Sequence, residues 1–131
     1  MSKQSDPHEW LRFAHGDLAA PLLLTDVELP ARMACIHAQQ AAEKALKASL
    51  VHAAIQFRKT HDLVVLVALQ PEPVRSEVSR LDLQRLQQWA VDARYPADLP
   101  DITASEAVAV VAIAEQIVAA IAAAPGMHGS A

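Results

Sequence analysis

Residues 39–63 read QQAAEKALKASLVHAAIQFRKTHDL, and the fold turns on this stretch. Its first half is rich in alanine, the residue most favourable to helix. A break follows near Gln56-Phe57-Arg58, and Lys59-Thr60-His61-Asp62 then opens a new helix. At roughly 100° per residue, Ile36, Gln40, Glu43, Lys47 and Leu50 share a face about 80° wide. Polar and charged groups therefore interrupt an apolar stripe. Burying such groups is costly unless they find partners, so the pattern predicts a polar site in or beside a helical core.

Working outward, the helix through Glu43 is expected from Ala31 to Ala54, with Pro30 suited to its start. Upstream, Asp6-Pro7 begins an earlier helix that runs to about Ala20. Trp10, Phe13, Ala14 and Leu18 recur there at helical spacing, and Pro21 ends it. Downstream, Thr60 is the expected cap of a short helix from His61 to Leu69, bounded by Pro71 and Pro73. A fourth segment spans Val74 to Ala93, with Val78, Leu81, Leu83, Leu86, Trp89 and Ala90 on its apolar side. Arg94-Tyr95-Pro96 opens a loop, after which Ser105, or alternatively Thr103, caps a last helix ending near Ala124. No strand alternation, glycine-rich phosphate loop or internal repeat is present. The expected fold is all-α: an antiparallel up-and-down bundle of four main helices plus one short helix. Residues 1–126 form a single domain, and residues 127–131 are expected to be a disordered tail.

The length of 131 residues suits one domain with its own core. A net charge of −4 provides no overall basic field, so any nucleic-acid contact must come from a local patch. Cys35 is the only cysteine and can form no disulfide within the chain, which fits a reducing cytosol. The opening MSKQSDPHEW lacks the basic-then-apolar order of a secretory signal. Ala107 to Ala124 approaches the length of a membrane span, but Glu115 near its centre is expensive in lipid, so a buried or interface helix is expected and no membrane is implied.

Three groups of residues carry candidate chemistry. Lys44 and Lys47 can form a phosphate-binding edge with Gln40 supplying directed hydrogen bonds; alternatively, Glu43 and Lys47 are an i,i+4 ion pair on a solvated face. Lys59 and His61 border the same pocket in the functional reading, where a helix N-terminus welcomes phosphate. In the structural reading, Thr60 caps and Asp62 favours the helix dipole. Arg94 can grip phosphate with two hydrogen bonds and Tyr95 can stack on a base, or the two can satisfy the end of the preceding helix. The six histidines are dispersed, without a His-x3-His pair, so neither a metal nor another cofactor is expected.

These segments resemble the HEPN family of small helical bundles over about residues 8 to 122. The anchors are Ala14 to Leu18, His37 to Ala48, Lys59-Thr60-His61-Asp62-Leu63 and Ala93-Arg94-Tyr95-Pro96, in this order and at these distances. The resemblance implies a homodimer engaged in nucleotide or RNA transactions. It also implies a minimal nucleotidyltransferase partner in a toxin–antitoxin-like pair. The ligand site it implies comprises Gln40, Glu43, Lys44, Lys47, Lys59, His61, Arg94 and Tyr95. Some family members are metal-independent ribonucleases carrying Arg, four to six residues and then His near a late helix. After Arg94 no histidine occurs until His128, so the late pair is missing and the expectation leans away from an enzyme. Arg32 and His37 match by count, but they lie in the wrong helix and point about 140° apart. The alternatives are a diverged ribonuclease toxin and a structural module that dimerises through its last, Ala/Val-rich helix.

Overall fold

A computed structural model describes residues 31–90 and 101–127, together with Pro7, Leu11 and Ala14. The described chain is helical and contains no strand. Its helices are α1 (Ala31–His52), α2 (Leu63–Ala68), α3 (Val74–Glu77), α4 (Arg80–Gln87) and α5 (Ala104–Ala122). Pro7, Leu11 and Ala14 are also helical, and Leu11 and Ala14 are buried in the core, as the expected first helix requires.

Among the described helices, α1 and α5 pack against each other most extensively. Their sequences explain it. Ala34, Ala38, Ala41, Ala42, Ala45 and Ala48 of α1 are buried, as are Ala107 and Ala114 of α5. Small side chains let two helices approach closely, and Val110, Ile117, Val118 and Ile121 then fill the space between them and their neighbours. The two helices run parallel. Arg32, near the start of α1, pairs with Asp101 just before α5, while His52 at the end of α1 bonds the carbonyl of Pro125 just beyond α5. The short helices α2 to α4 carry the chain back between them. Among the described residues only Ala104–Ala122 is long and apolar enough to cross a membrane, and its inner face is packed in this core.

The helix ends depart from expectation at four points. α1 stops at His52 rather than Ala54, because Ala54 adopts a left-handed conformation at φ 58°. The Ile55 N–H then donates to the Leu50 carbonyl and the Ala54 N–H to the Val51 carbonyl, a Schellman ending. α2 is capped by Asp62, not Thr60: the Asp62 carboxylate accepts from the N–H groups of Val64 and Val65, and Thr60 Oγ1 accepts from the Asp62 N–H. Thr103, not Ser105, caps α5, in a reciprocal capping box with Glu106. The expected helix over 74–93 is two helices, broken where Val78 is extended and Ser79 caps the restart. That restart resets the register: Leu83 and Leu86 turn inward, whereas Leu81, two residues and about 200° from Leu83, is 66 % exposed rather than part of the apolar side. Trp89 and Ala90 are buried as expected, and Met127, just past the expected boundary at residue 126, is buried too.

Candidate functional site

The polar residues of α1 converge on one carboxylate. Glu43 is 9 % exposed and Lys47, one turn on, is 7 % exposed. The Lys47 ammonium donates to Glu43 Oε2 at 3.1 Å. Gln39, one turn before and fully buried, donates through Nε2 to Glu43 Oε1 at 3.3 Å. The residues at 39, 43 and 47 thus form an i, i+4, i+8 ladder along one side of the helix.

A third donor arrives from outside the helix. His61 Nδ1 lies 2.9 Å from Glu43 Oε2. A carboxylate can only accept, so this ring nitrogen carries the proton in that bond. The imidazole is 43 % exposed, so His61 links the buried carboxylate to the surface. Its backbone is held from another direction. Gln87 of α4 donates through Nε2 to the His61 carbonyl at 3.3 Å and accepts the Leu63 N–H through Oε1 at 2.8 Å. Two helices therefore position this one histidine, α1 through its ring and α4 through its main chain. Gln70 performs a similar service one helix later. Buried at the end of α2, it donates to the carbonyls of Leu46 and Leu66 and ties α2 to α1.

Of the residues expected at the site, Glu43, Lys47 and His61 meet in one hydrogen-bonded cluster. Lys47 is not on a solvated face and does not form a surface edge with Lys44; its charge is compensated internally by Glu43. Lys44 is half-buried beside Glu43 in the chain, and Lys59, two residues before His61, is exposed. Gln40 is half-buried, and it is its neighbour Gln39 that reaches the carboxylate. Arg94 and Tyr95 lie outside the described residues. Gln39 and Gln87 are the two residues sequence reasoning missed. Gln39 could have been found, since it stands four residues before Glu43 on the same side of the helix. No sequence signal points to Gln87, which acts across more than twenty residues.

Burial alone pushes the Cys35 thiol up to about 12, which makes it a packing residue rather than a nucleophile. Among the described residues, no group of three or more His, Cys, Asp or Glu side chains is gathered as a metal site.

An all-α domain with a buried carboxylate, anchored by donors from its own helix and from a second segment, is the class that the fold and the cluster define. The chain belongs to the HEPN domain family, whose family model matches residues 7–123. It is also similar to TT1696 from Thermus thermophilus, whose crystal structure superposes with a TM-score of 0.71 at 29 % sequence identity, covering 88 % of this chain and 94 % of that one. No curated protein matches the chain significantly.

Proposed function

We propose that this HEPN domain is a nucleotide- or RNA-binding accessory protein that works in the cytoplasm beside a minimal nucleotidyltransferase, in a toxin–antitoxin-like pair. Catalysis resides in that partner, and the HEPN chain acts as a homodimer. The observation that carries the reading is the bond between His61 and Glu43. It brings the Lys59–His61 segment against the turn of α1 that carries Glu43 and Lys44. In this reading Lys44 and Lys59, which neighbour the two bonded residues in the chain, contact phosphate as point charges. Glu43 holds His61 and Lys47 in place; it does not itself meet an anion. The reading also assigns Arg94 to grip phosphate and Tyr95 to stack on a base; both lie outside the described residues.

The test is calorimetric titration of ATP and of a short single-stranded RNA into the wild type and into Lys44→Ala, Lys59→Ala and Arg94→Ala. Each variant is expected to bind about tenfold more weakly, the loss of roughly one charge-assisted phosphate contact. Unchanged affinity in all three removes the site. Co-expression with a minimal nucleotidyltransferase tests the partnership, with a stable complex as the expected product.

A second reading, a diverged metal-independent ribonuclease, is favoured by one observation. A carboxylate on Nδ1 fixes the orientation of the half-exposed His61 ring, as a general base requires. Incubation of the pure protein with RNA in EDTA decides the point. Cleavage that disappears in His61→Ala supports this reading, and intact RNA ends it.

A further inference from the structure

Glu43 claims the one N–H proton that a neutral His61 ring possesses. A carboxylate only accepts, so the 2.9 Å contact to Oε2 fixes that proton on Nδ1 and leaves Nε2 with a lone pair. A neutral His61 therefore has no second donor to give. Adding a proton converts Nε2 from acceptor to donor and makes the ring a cation. Charged groups meet that ring from two elements. From α1, the Glu43 carboxylate attracts an imidazolium, and the Lys47 ammonium, a donor to the same oxygen, repels it. Together those two form a buried ion pair of zero net charge. On the ring's own segment, the exposed Asp62 carboxylate is engaged with the N–H groups of Val64 and Val65, and Lys59 is exposed. From α4, Gln87 reaches the main chain and is neutral. Imidazole is the side chain whose ordinary titration falls between about pH 5 and 8, with carboxylates below and lysines above.

We infer that phosphodiester binding at this site is coupled to protonation of His61, whose ring meets a phosphate oxygen through Nε2–H only as the imidazolium. The inference rests on the phosphate-binding reading given above and names the regulation of that site. Two features of the geometry carry it. Nδ1 is committed to a buried carboxylate, so the tautomer that would offer a neutral Nε2–H gives up the bond to Glu43. The imidazole is 43 % exposed, so it can meet an anion from solvent while Nδ1 stays in place. A neutral Nε2 turns a lone pair toward the anion, whereas the imidazolium donates a charge-assisted hydrogen bond. The sign follows from linkage. Bound phosphate favours the charged ring, so the complex holds the His61 proton more tightly than the free protein does. Affinity is therefore full below the histidine range and is lost as pH rises through it. Lysines titrate far above that range, so the part of the attraction that varies near neutrality belongs to the histidine.

The probe is a short 2′-O-methyl oligouridylate, whose phosphodiesters and bases keep their charge over the histidine range and which cannot be cleaved through its own 2′ oxygen. Titrated into the full chain at constant ionic strength, it should bind about tenfold more tightly at the acid end of that range than at the alkaline end, the worth of one charge-assisted contact. Calorimetry in two buffers of different ionisation enthalpy should show proton uptake on binding at the alkaline end. His61→Gln, which keeps a polar side chain, should bind with the same affinity at both ends and take up no proton, whereas His52→Gln, at the end of α1, should behave as the wild type. A long-range ¹H–¹⁵N spectrum of the wild type reads the same event without a variant: the His61 ring signals should move from the neutral to the imidazolium pattern as RNA is added. Equal affinity at both ends, absence of proton uptake, or a pH dependence that survives in His61→Gln would overturn the coupling and leave the phosphate site standing. Failure of the RNA to bind at either end would remove that site, and the coupling with it.

Discussion

Glu43 Oε2 accepts hydrogen bonds from Lys47 Nζ at 3.1 Å and from His61 Nδ1 at 2.9 Å, so one carboxylate oxygen joins the interior of α1 to the segment preceding α2. The relationship between Glu43 and His61 spans 18 residues and couples the stability of the helix to the placement of the loop.

Removing one partner of the buried pair strands the other. With side chains 8 % and 12 % exposed, Lys47 and Glu43 have little access to water. Glu43→Ala is expected to cost about 3–5 kcal/mol in urea denaturation, whereas the double variant Glu43→Leu, Lys47→Met should lose far less, since apolar residues of similar volume replace the pair. Equal losses in the single and double variants would contradict the burial.

Two left-handed positions should respond in opposite senses. Ala54 occupies φ 58° without a glycine's freedom, so Ala54→Gly is expected to raise stability by about 0.5–1 kcal/mol. Gly126 sits at φ 84°, and a Cβ there would lie 2.8 Å from His52 Cε1. Gly126→Ala should therefore lower the melting temperature. Adding His52→Ala should restore only the part due to the clash, because the backbone strain remains.

The cap of α5 predicts a pH dependence. The Thr103 hydroxyl donates to Glu106 Oε1 at 2.8 Å, and this bond, followed by that from the Thr103 N–H, holds the Glu106 carboxyl below its usual value. The native group binds its proton less readily than the unfolded one. Its contribution is complete above the ordinary glutamate range and is lost as pH falls through the lowered native value. Carbon-detected NMR titration should show Glu106 titrating low in the wild type and near the usual value in Thr103→Ala. Loss of the cap should itself cost about 1 kcal/mol at neutral pH.

Cys35 should be silent to iodoacetamide at pH 8 in the native protein, because burial pushes its thiol up to about 12, and should react promptly in denaturant. Rapid native labelling would mean that α1 opens far more readily than its packing implies.

Local patterns told most of the fold. Asp6-Pro7, the alanine-rich run through Glu43, the prolines at 71 and 73 and the long apolar segment to Ala124 each speak through propensity or chain stiffness, which act over a few residues. Near-equal local choices were less legible. Thr60 and Asp62, or Ser105 and Thr103, are all competent caps, and the winner in each case depends on where the following helix is held. The continuous apolar run over 74–93 concealed its break for the same reason. Val78 and Ser79 are compatible with helix, and only the packing of α3 and α4 against other elements decides that the chain straightens there.

For the candidate site, the pairing of Glu43 with Lys47 follows from a spacing of four residues, which any α-helix converts into neighbourhood. The sequence by itself therefore determined the helices, their apolar faces and the presence of polar groups within one of them. Only the tertiary structure decided that those groups are buried, that Gln39 rather than Gln40 completes the ladder, and that His61 and Gln87 meet around the start of α2. Such contacts are set by how helices stack, and the energy of stacking is shared over a whole core rather than encoded in any short run of residues.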